Sequence, residues 1–428
     1  MQRLIIDNIG PIKKCDIEIN DYMVFTGPQA SGKSTVAKSI FYFNHLKDIL
    51  FLTVQRECIN KEAVSLEFLE SKFRDNAISD LRQSFGFFLA NQNESNIQFF
   101  YDNGAWVSVK GVNHGLIQLV GMEYSDSVRK GLKLLVDLLN EKLSIDSQKI
   151  SKVIQEEIFA NSMEVVYIPA GRSLITVLNS QISYLYSVMD DRQKKSIDYC
   201  TKNFLERILQ IKPSFEDGLR KMVQGAQKSD VREHDGQVFE IALELMQKVL
   251  KGEYRCENGQ DQLLLEGDKQ VLLNYASSGQ QEAVWIINVL LYYMMDDRKA
   301  YFIIEEPESH LFPDAQKAIT EFITLAKNGR NKVVLTTHSP YVLGSINNLL
   351  YANRVSREVD EEKLQKILSK HLWLNFETLS AYFLENGAMR DITDSEFEDI
   401  DHDVIDGASA DINETYEAMV ALRHGEEN

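Results

Sequence analysis

An apolar run, Tyr22–Thr26, leads without a break into Gly27-Pro28-Gln29-Ala30-Ser31-Gly32-Lys33-Ser34-Thr35. This join of buried strand, glycine loop and helix limits the possible folds more than any other feature of the chain. Gly27 and Gly32 permit positive φ and close backbone approach, so consecutive N–H groups can surround a phosphate. Lys33 adds a point charge between β- and γ-phosphates, and the helix N-terminus adds its dipole. Ser34 offers a hydroxyl to Mg²⁺. The helix starting near Lys33 carries Val36, Ile40 and Phe43 on one face, which supplies the strand-to-helix setting the loop requires.

Three further segments follow in a fixed order. In Tyr301–Pro307 a short apolar strand ends in Glu305 and Glu306. The first acid is placed to hold a Mg²⁺ shell through water, the second to orient and deprotonate an attacking water. Ser277-Ser278-Gly279-Gln280 opens a helix, and its small hydroxyl residues can donate to an anion. Its distance in sequence from the phosphate loop fits γ-phosphate binding from a second copy of the chain. His338 ends the apolar strand Lys332–Thr337, where its imidazole would reach the γ-phosphate if that strand adjoins the glutamate strand. Together the segments describe an ATP and Mg²⁺ site that closes between two copies.

Two residues stay open. Arg172 follows a strand and opens a helix, so it either bridges nucleotide and insertion or anchors a turn. His310 either sits at a subunit interface or caps the next helix. Gln55, Gln83 and Gln98 are candidates for a Mg²⁺-sensing glutamine, none in a convincing context.

At 428 residues the chain has room for one large α/β domain with an insertion. Its 44% hydrophobic and 26% charged content is that of an ordinary globular protein. No apolar run approaches the ~20 residues needed to span a bilayer, and no export signal is present, so no membrane partner is expected. The four cysteines are scattered without a CxxC pair, which disfavours a zinc hook or disulfide framework and fits a reducing cytoplasm. The net charge of −18 argues against nonspecific coating of DNA. Acids concentrate after Asp391, opposed by Arg423 as the one base named there, giving either a solvated tail or a docking surface for a basic partner.

Four regions are expected. Residues 1–120 form the first half of the head with strands at Arg3–Asp7 and Asp16–Asn20, helices near Lys61–Asn76 and Ile78–Ala90, and a hairpin turning at Asp102-Asn103-Gly104. Residues 121–252 are a largely helical insertion, helical from Ser125 to Ser162, with a core strand near 164–168. Residues 253–350 form the second half, with strands at Tyr254–Glu257, Gln262–Glu266 and Gln270–Asn274. Residues 351–428 are expected beyond the ATPase pattern, with a helix over Asp360–His371 and an apolar piece near Leu379–Leu384. Asp399-Ile400-Asp401-His402-Asp403 lacks the preceding buried strand that a metal-binding pair would need.

With these residues in hand, the chain resembles the ABC-type ATPases of the SMC/RecF superfamily, most closely the OLD-like (overcoming lysogenisation defect) AAA ATPases. Asn8-Ile9-Gly10-Pro11, the Gly27–Thr35 loop, Tyr167–Ser173, Ser277–Gln281, Glu305–Leu311 and Thr337–Pro340 all look like family segments, with Gln29 where relatives usually carry Asn. The resemblance implies nucleotide binding at Gly27, Gln29, Ala30, Ser31, Gly32, Lys33, Ser34 and Thr35. It also implies a signature at Ser277, Ser278, Gly279 and Gln280, a catalytic Glu306 with Lys33, a switch His338, and Mg²⁺ at Ser34 and Glu305. Such proteins sandwich two ATP molecules between head-to-tail protomers. The Toprim element of OLD nucleases and the long arms of chromosome-structure proteins are not found. What remains is similar to stand-alone ATPase subunits of bacterial anti-phage systems of PARIS or Septu type, which work with a separately encoded effector nuclease. The expected fold is an α/β ABC-type P-loop head with an antiparallel β subdomain, a helical insertion and a short acidic C-terminal region. The alternative is a RecF-like DNA-repair ATPase, whose DNA contacts would come from Lys194, Lys195, Lys221 and Arg232. A phage protein or DNA is the expected trigger.

Overall fold

Alternation along the phosphate-loop strand Tyr22–Thr26 builds both halves of the core. Tyr22 and Val24 face one hydrophobic cluster, while Met23 and Phe25 face the other. Side chains two apart share a face, so a strand buried on both sides reads as an unbroken apolar run. The computed structural model describes the chain except residues 60, 87–93, 115–116, 142–145, 177–187, 189–197, 217, 219–235, 268, 296–297, 402–412 and 421–428.

The phosphate-loop strand lies inside a six-stranded sheet. Its order is Ala388–Asp391, Leu379–Glu385, Tyr22–Thr26, Lys332–Thr337, Ala300–Glu305 and Glu164–Ile168. The last five run parallel, and the first is an antiparallel edge. One face is covered by the helix Lys33–Thr53 and by a five-stranded antiparallel sheet. That sheet is formed by Gln2–Ile9, Ile12–Ile19, Glu94–Phe100, Trp106–His114 and Ile117–Tyr124. The other face is covered by helices Gly236–Leu250, Ser278–Met295, Pro313–Asn328 and Pro340–Val355. A three-stranded meander, Gly252–Glu257, Gln260–Leu265 and Lys269–Leu272, precedes the signature helix. This is the α/β head with an antiparallel subdomain that the sequence leads one to expect.

Several element expectations change. One helix, Leu66–Phe85, replaces the two expected; Asn76 at their supposed break donates to the Thr53 hydroxyl and closes against the first helix. The Ser125–Ser162 stretch is broken into Asp126–Asn140 and Ser147–Lys152, the latter continuing as a wider turn through Ile158. Ile117–Tyr124 is a strand that crosses the boundary drawn at residue 120. Asp360–His371 is helical only over Glu361–Gln365 and Lys370–Leu372. The largest correction concerns residues 351–428, because Leu379–Glu385 pairs in parallel with the phosphate-loop strand and belongs to the head.

Lys47, in the middle of the first helix, is 3% exposed and donates to the carbonyls of Asn161 and Met163. Burial pushes its ammonium down to about 8. Between that value and its ordinary 10.5, the unfolded chain holds a proton that the folded chain has released. Stability from this group therefore rises with pH across that window and is lost as pH falls through 8. Lys47→Met removes the dependence. Urea midpoints at pH 7.5 and 9.5 are expected to show wild type gaining about 1–2 kcal/mol relative to the variant. Parallel pH curves for the two proteins would contradict the assignment.

Candidate functional site

The C-terminal ends of the five parallel strands meet along one edge of the sheet, where ligands of open α/β sheets bind. The phosphate loop leaves from the third of the six strands. Gly27 has φ 136°, and a Cβ there would lie 2.2 Å from the Leu384 carbonyl oxygen. Glycine is thus demanded by the neighbouring C-terminal strand as well as by the loop's own turn. The Lys33 ammonium donates to the carbonyls of Gly27 (2.9 Å) and Pro28 (2.7 Å). Burial lowers its pKa, while Glu306, Glu308 and Glu305 oppose that shift by holding the charge. A phosphate oxygen would compete for the same three N–H donors. Gln29, Ala30 and Ser34 are exposed, Ser31 is buried and Thr35 is half-buried, and the backbone at Ala30 is left-handed at φ 58°.

Register carries the next strands to the same place. Thr337 stands opposite Thr26, and Glu305 opposite Thr336. His338 therefore emerges beside both the loop and the acids. Its Nδ1 is 3.5 Å from the Lys33 Nζ, and its Nε2 is 3.4 Å from a Glu306 oxygen. Glu306 itself is left-handed, with φ 41°, and its backbone N–H donates to the Thr336 carbonyl at 2.9 Å. A non-glycine residue in that region is strained and needs its surroundings to hold it.

Glu305 is buried, and its Oε1 has no hydrogen-bond partner among the described residues. A buried carboxylate oxygen left this way suits a water bound to Mg²⁺, an ion that takes oxygen donors and keeps several waters. No group of three or more His, Cys, Asp or Glu side chains able to hold a metal occurs among the described residues. A Mg²⁺ here would rest on Glu305, Ser34 and phosphate oxygens. When bound, it would polarise the phosphate and neutralise charge as the phosphoryl group transfers.

Arg172 and Glu308 carry more of the site than sequence reasoning assigned them. The Arg172 side chain is wholly buried. Its Nη1 donates to the carbonyls of Pro169 (2.6 Å) and Glu305 (2.7 Å), and its Nη2 to that of Glu306 (2.9 Å). Its Nε donates to the Glu282 carbonyl (3.1 Å) and lies 3.2 Å from the Glu282 carboxylate. Burial lowers the guanidinium pKa, opposed first by Glu282. Of the two readings left open, Arg172 anchors the strand-end turn. One Glu308 oxygen accepts from the His338 N–H (2.7 Å) and the Thr337 hydroxyl (2.8 Å), which fixes the histidine's backbone. Burial raises the Glu308 pKa. Its only sequence signal is its place two residues after Glu306.

The signature segment lies elsewhere within the chain. Among the described residues, no hydrogen bond or ion pair joins Ser277–Gln280 to Gly27–Thr35. Ser277 and Gln280 bond each other across the helix start, the Gln280 Oε1 accepting from the Ser277 N–H and hydroxyl at 3.0 Å. The Gln280 Nε2 donates to the Leu250 carbonyl, so its side chain is committed within the head. A Cβ on Gly279 would lie 2.6 Å from the His310 carbonyl oxygen, so this helix packs tightly on the loop that follows Glu306. His310 is exposed and left-handed; Phe312 occupies the N-cap position of the next helix, with no side-chain cap bond. Among the described residues, Gln55, Gln83 and Gln98 make no bond to the site, and the Gln83 Nε2 donates to the Ser79 hydroxyl. Asp399–Ile400 forms a short ladder with Thr393–Asp394, and Ile400 bonds Asn347 through both backbone groups. Lys194, Lys195, Lys221 and Arg232 lie outside the described residues, as do His402, Asp403 and Arg423.

Residues 1–343 match the family model described as an AAA ATPase domain. No curated protein matches the chain. Among solved structures, it is similar to an Smc head bound to the C-winged helix domain of ScpA, with 11% identity, covering 91% of this chain and 96% of that one, at TM-score 0.43. An Smc head with an extended coiled coil, bound to the C-terminal domain of ScpA derived from Pyrococcus furiosus, gives 11% identity, 92% and 96% coverage and TM-score 0.40. The SMC head domain from Thermotoga maritima gives 11%, 91%, 97% and 0.35.

Proposed function

The chain belongs to the AAA ATPase domain family, and on that premise we propose that two copies close head to tail over ATP, hydrolyse it, and so control a separately encoded effector in phage defence. The observation that carries the ATPase reading is the contact line Lys33–His338–Glu306 at the ends of adjoining parallel strands. In this reading Lys33 holds the β- and γ-phosphates, Glu306 takes a proton from the attacking water, and His338 senses the γ-phosphate. Ser278 and Gly279 reach the γ-phosphate of the partner copy.

Self-association draws support from the surface around these loops. Tyr275, just before the signature, is 78% exposed; Phe312, just after the Glu306 loop, is 75% exposed; Tyr341, just after His338, is 56% exposed. Large exposed apolar groups that flank the signature, the Glu306 loop and His338 in sequence suit burial against another protein. No helix among the described residues is long and apolar enough to cross a membrane.

With Mg²⁺ and ATP, the purified protein is expected to release phosphate and to double in mass by light scattering. Ser278→Arg should abolish the doubling while ATP still binds, and Lys33→Ala should abolish binding. Mass unchanged by ATP or its non-hydrolysable analogue would end the two-copy reading. For the effector role, cells carrying this gene together with that of a nuclease effector should resist phage and lose resistance on Lys33→Ala. If the protein alone degraded nucleic acid, and lost that activity on substitution of tail aspartates, the scaffold role would be wrong.

A further inference from the structure

The Arg172–Glu282 pair occupies the junction of three segments that the proposed chemistry needs to move together. Glu282 lies one turn after Ser278 on the signature helix, and residues four apart share a helix face. Its carboxylate accepts from the backbone N–H groups of Arg172 (2.9 Å) and Ser173 (2.9 Å), so it pins the turn that follows the strand Glu164–Ile168. Arg172 in turn holds the carbonyls of Glu305 and Glu306. The left-handed Glu306 backbone thus has one of its principal restraints anchored on the signature helix. Thr176 ties the same turn to that helix again, donating to the Gln281 carbonyl (3.2 Å) and accepting from the Trp285 indole (2.7 Å).

We infer that the Arg172–Glu282 pair is a buried strut that makes the placement of Glu306 depend on the position of the signature helix. The inference rests on the two-copy ATPase reading and gives it a control. When a partner's nucleotide seats on Ser278, the shift of that helix is transmitted through Glu282 and the Arg172 guanidinium to the Glu305 and Glu306 carbonyls. Close packing of Gly279 on the His310 carbonyl keeps the helix and the loop from sliding independently. Arg172 and Glu282 are bonded to protein groups and act through the Glu305 and Glu306 backbone, so they are positioning residues.

Single removal of either partner strands a buried charge and threatens folding. The test therefore leads with Arg172→Lys, which keeps the charge and the Glu282 carboxylate on its two N–H groups but loses the fork. The second variant is the double Arg172→Met/Glu282→Met, which removes the ion pair at similar volume but also the bonds to the backbone. Four quantities are measured: melting temperature, ATP affinity, ATP-dependent doubling of mass, and kcat with KM. A displacement of about 1 Å at a reacting group costs on the order of a hundredfold. The expected result is a fall in kcat of at least tenfold, with ATP affinity, KM and doubling within twofold of wild type. A folded variant with kcat within twofold of wild type overturns the strut. So does a loss of kcat matched by losses of melting temperature and ATP affinity, which is what a purely structural pair would give. Ser278→Arg serves as the reference: if it leaves turnover untouched, the two-copy reading fails, whereas the strut alone fails if Ser278→Arg stops turnover and the pair variants do not.

Discussion

Glu306→Gln is expected to bind ATP as tightly as wild type, to hydrolyse it 10²–10⁴-fold more slowly, and to accumulate as a nucleotide-bridged dimer. The amide keeps the shape of the carboxylate but cannot accept a proton from water. The pocket's backbone is held without that charge: the Glu306 backbone by Thr336 and Arg172, and Lys33 by loop carbonyls, with Glu308 and Glu305 still supporting the Lys33 charge. The contact with His338, at 3.4 Å, survives as a neutral hydrogen bond. Binding and turnover should therefore separate. Phosphate release measured beside ATP affinity and light scattering checks this, and the variant should show a larger dimer fraction at equal ATP. Turnover within fivefold of wild type would move the base elsewhere, with Glu308, two residues on and bonded to His338, the first alternative to examine.

Features legible in the sequence are local. Gly27–Thr35 and Tyr301–Pro307 each carry strand, turn and chemistry within ten residues, so periodicity and residue type specify them without help from the rest of the chain. Arg172 could not be read this way. Its partners Glu282, Glu305 and Glu306 lie 110 to 134 residues further along, and only the parallel pairing of Glu164–Ile168 with Ala300–Glu305 brings them together. The aspartate-started helix at Asp360 was expected to reach His371 because its residues suit a helix. Instead, Asn328 takes the carbonyls of His371 and Trp373, fastening that segment to the end of another helix. Tertiary bonds there override propensity.

The apolar piece at Leu379–Leu384 shows the same limit with the largest consequence. Its pairing with Tyr22–Thr26 joins residues more than 350 apart, and parallel pairs leave no turn signal between them. Cutting the chain after Ser356 is accordingly expected to abolish folding, although the family match ends at residue 343. The cut removes a strand from beside the phosphate-loop strand and leaves that strand's edge unpaired. It strips away buried Leu379, Leu384, Ile392 and Ile400. At about 1.5–3 kcal/mol each, these four rival the 5–15 kcal/mol net stability of a typical domain. The carbonyl of Leu384 that closes on Gly27, and that of Gly387 that accepts from Lys13 and Lys14, go with them. Cutting after Asp401 keeps all of these contacts and should leave melting temperature within a few degrees and ATP affinity within twofold. Expression yield, thermal unfolding and ATP binding compared across the two truncations test the point. If the shorter chain melted cooperatively at the wild-type temperature and bound ATP normally, the C-terminal strand would be an accessory to the head and not a part of it.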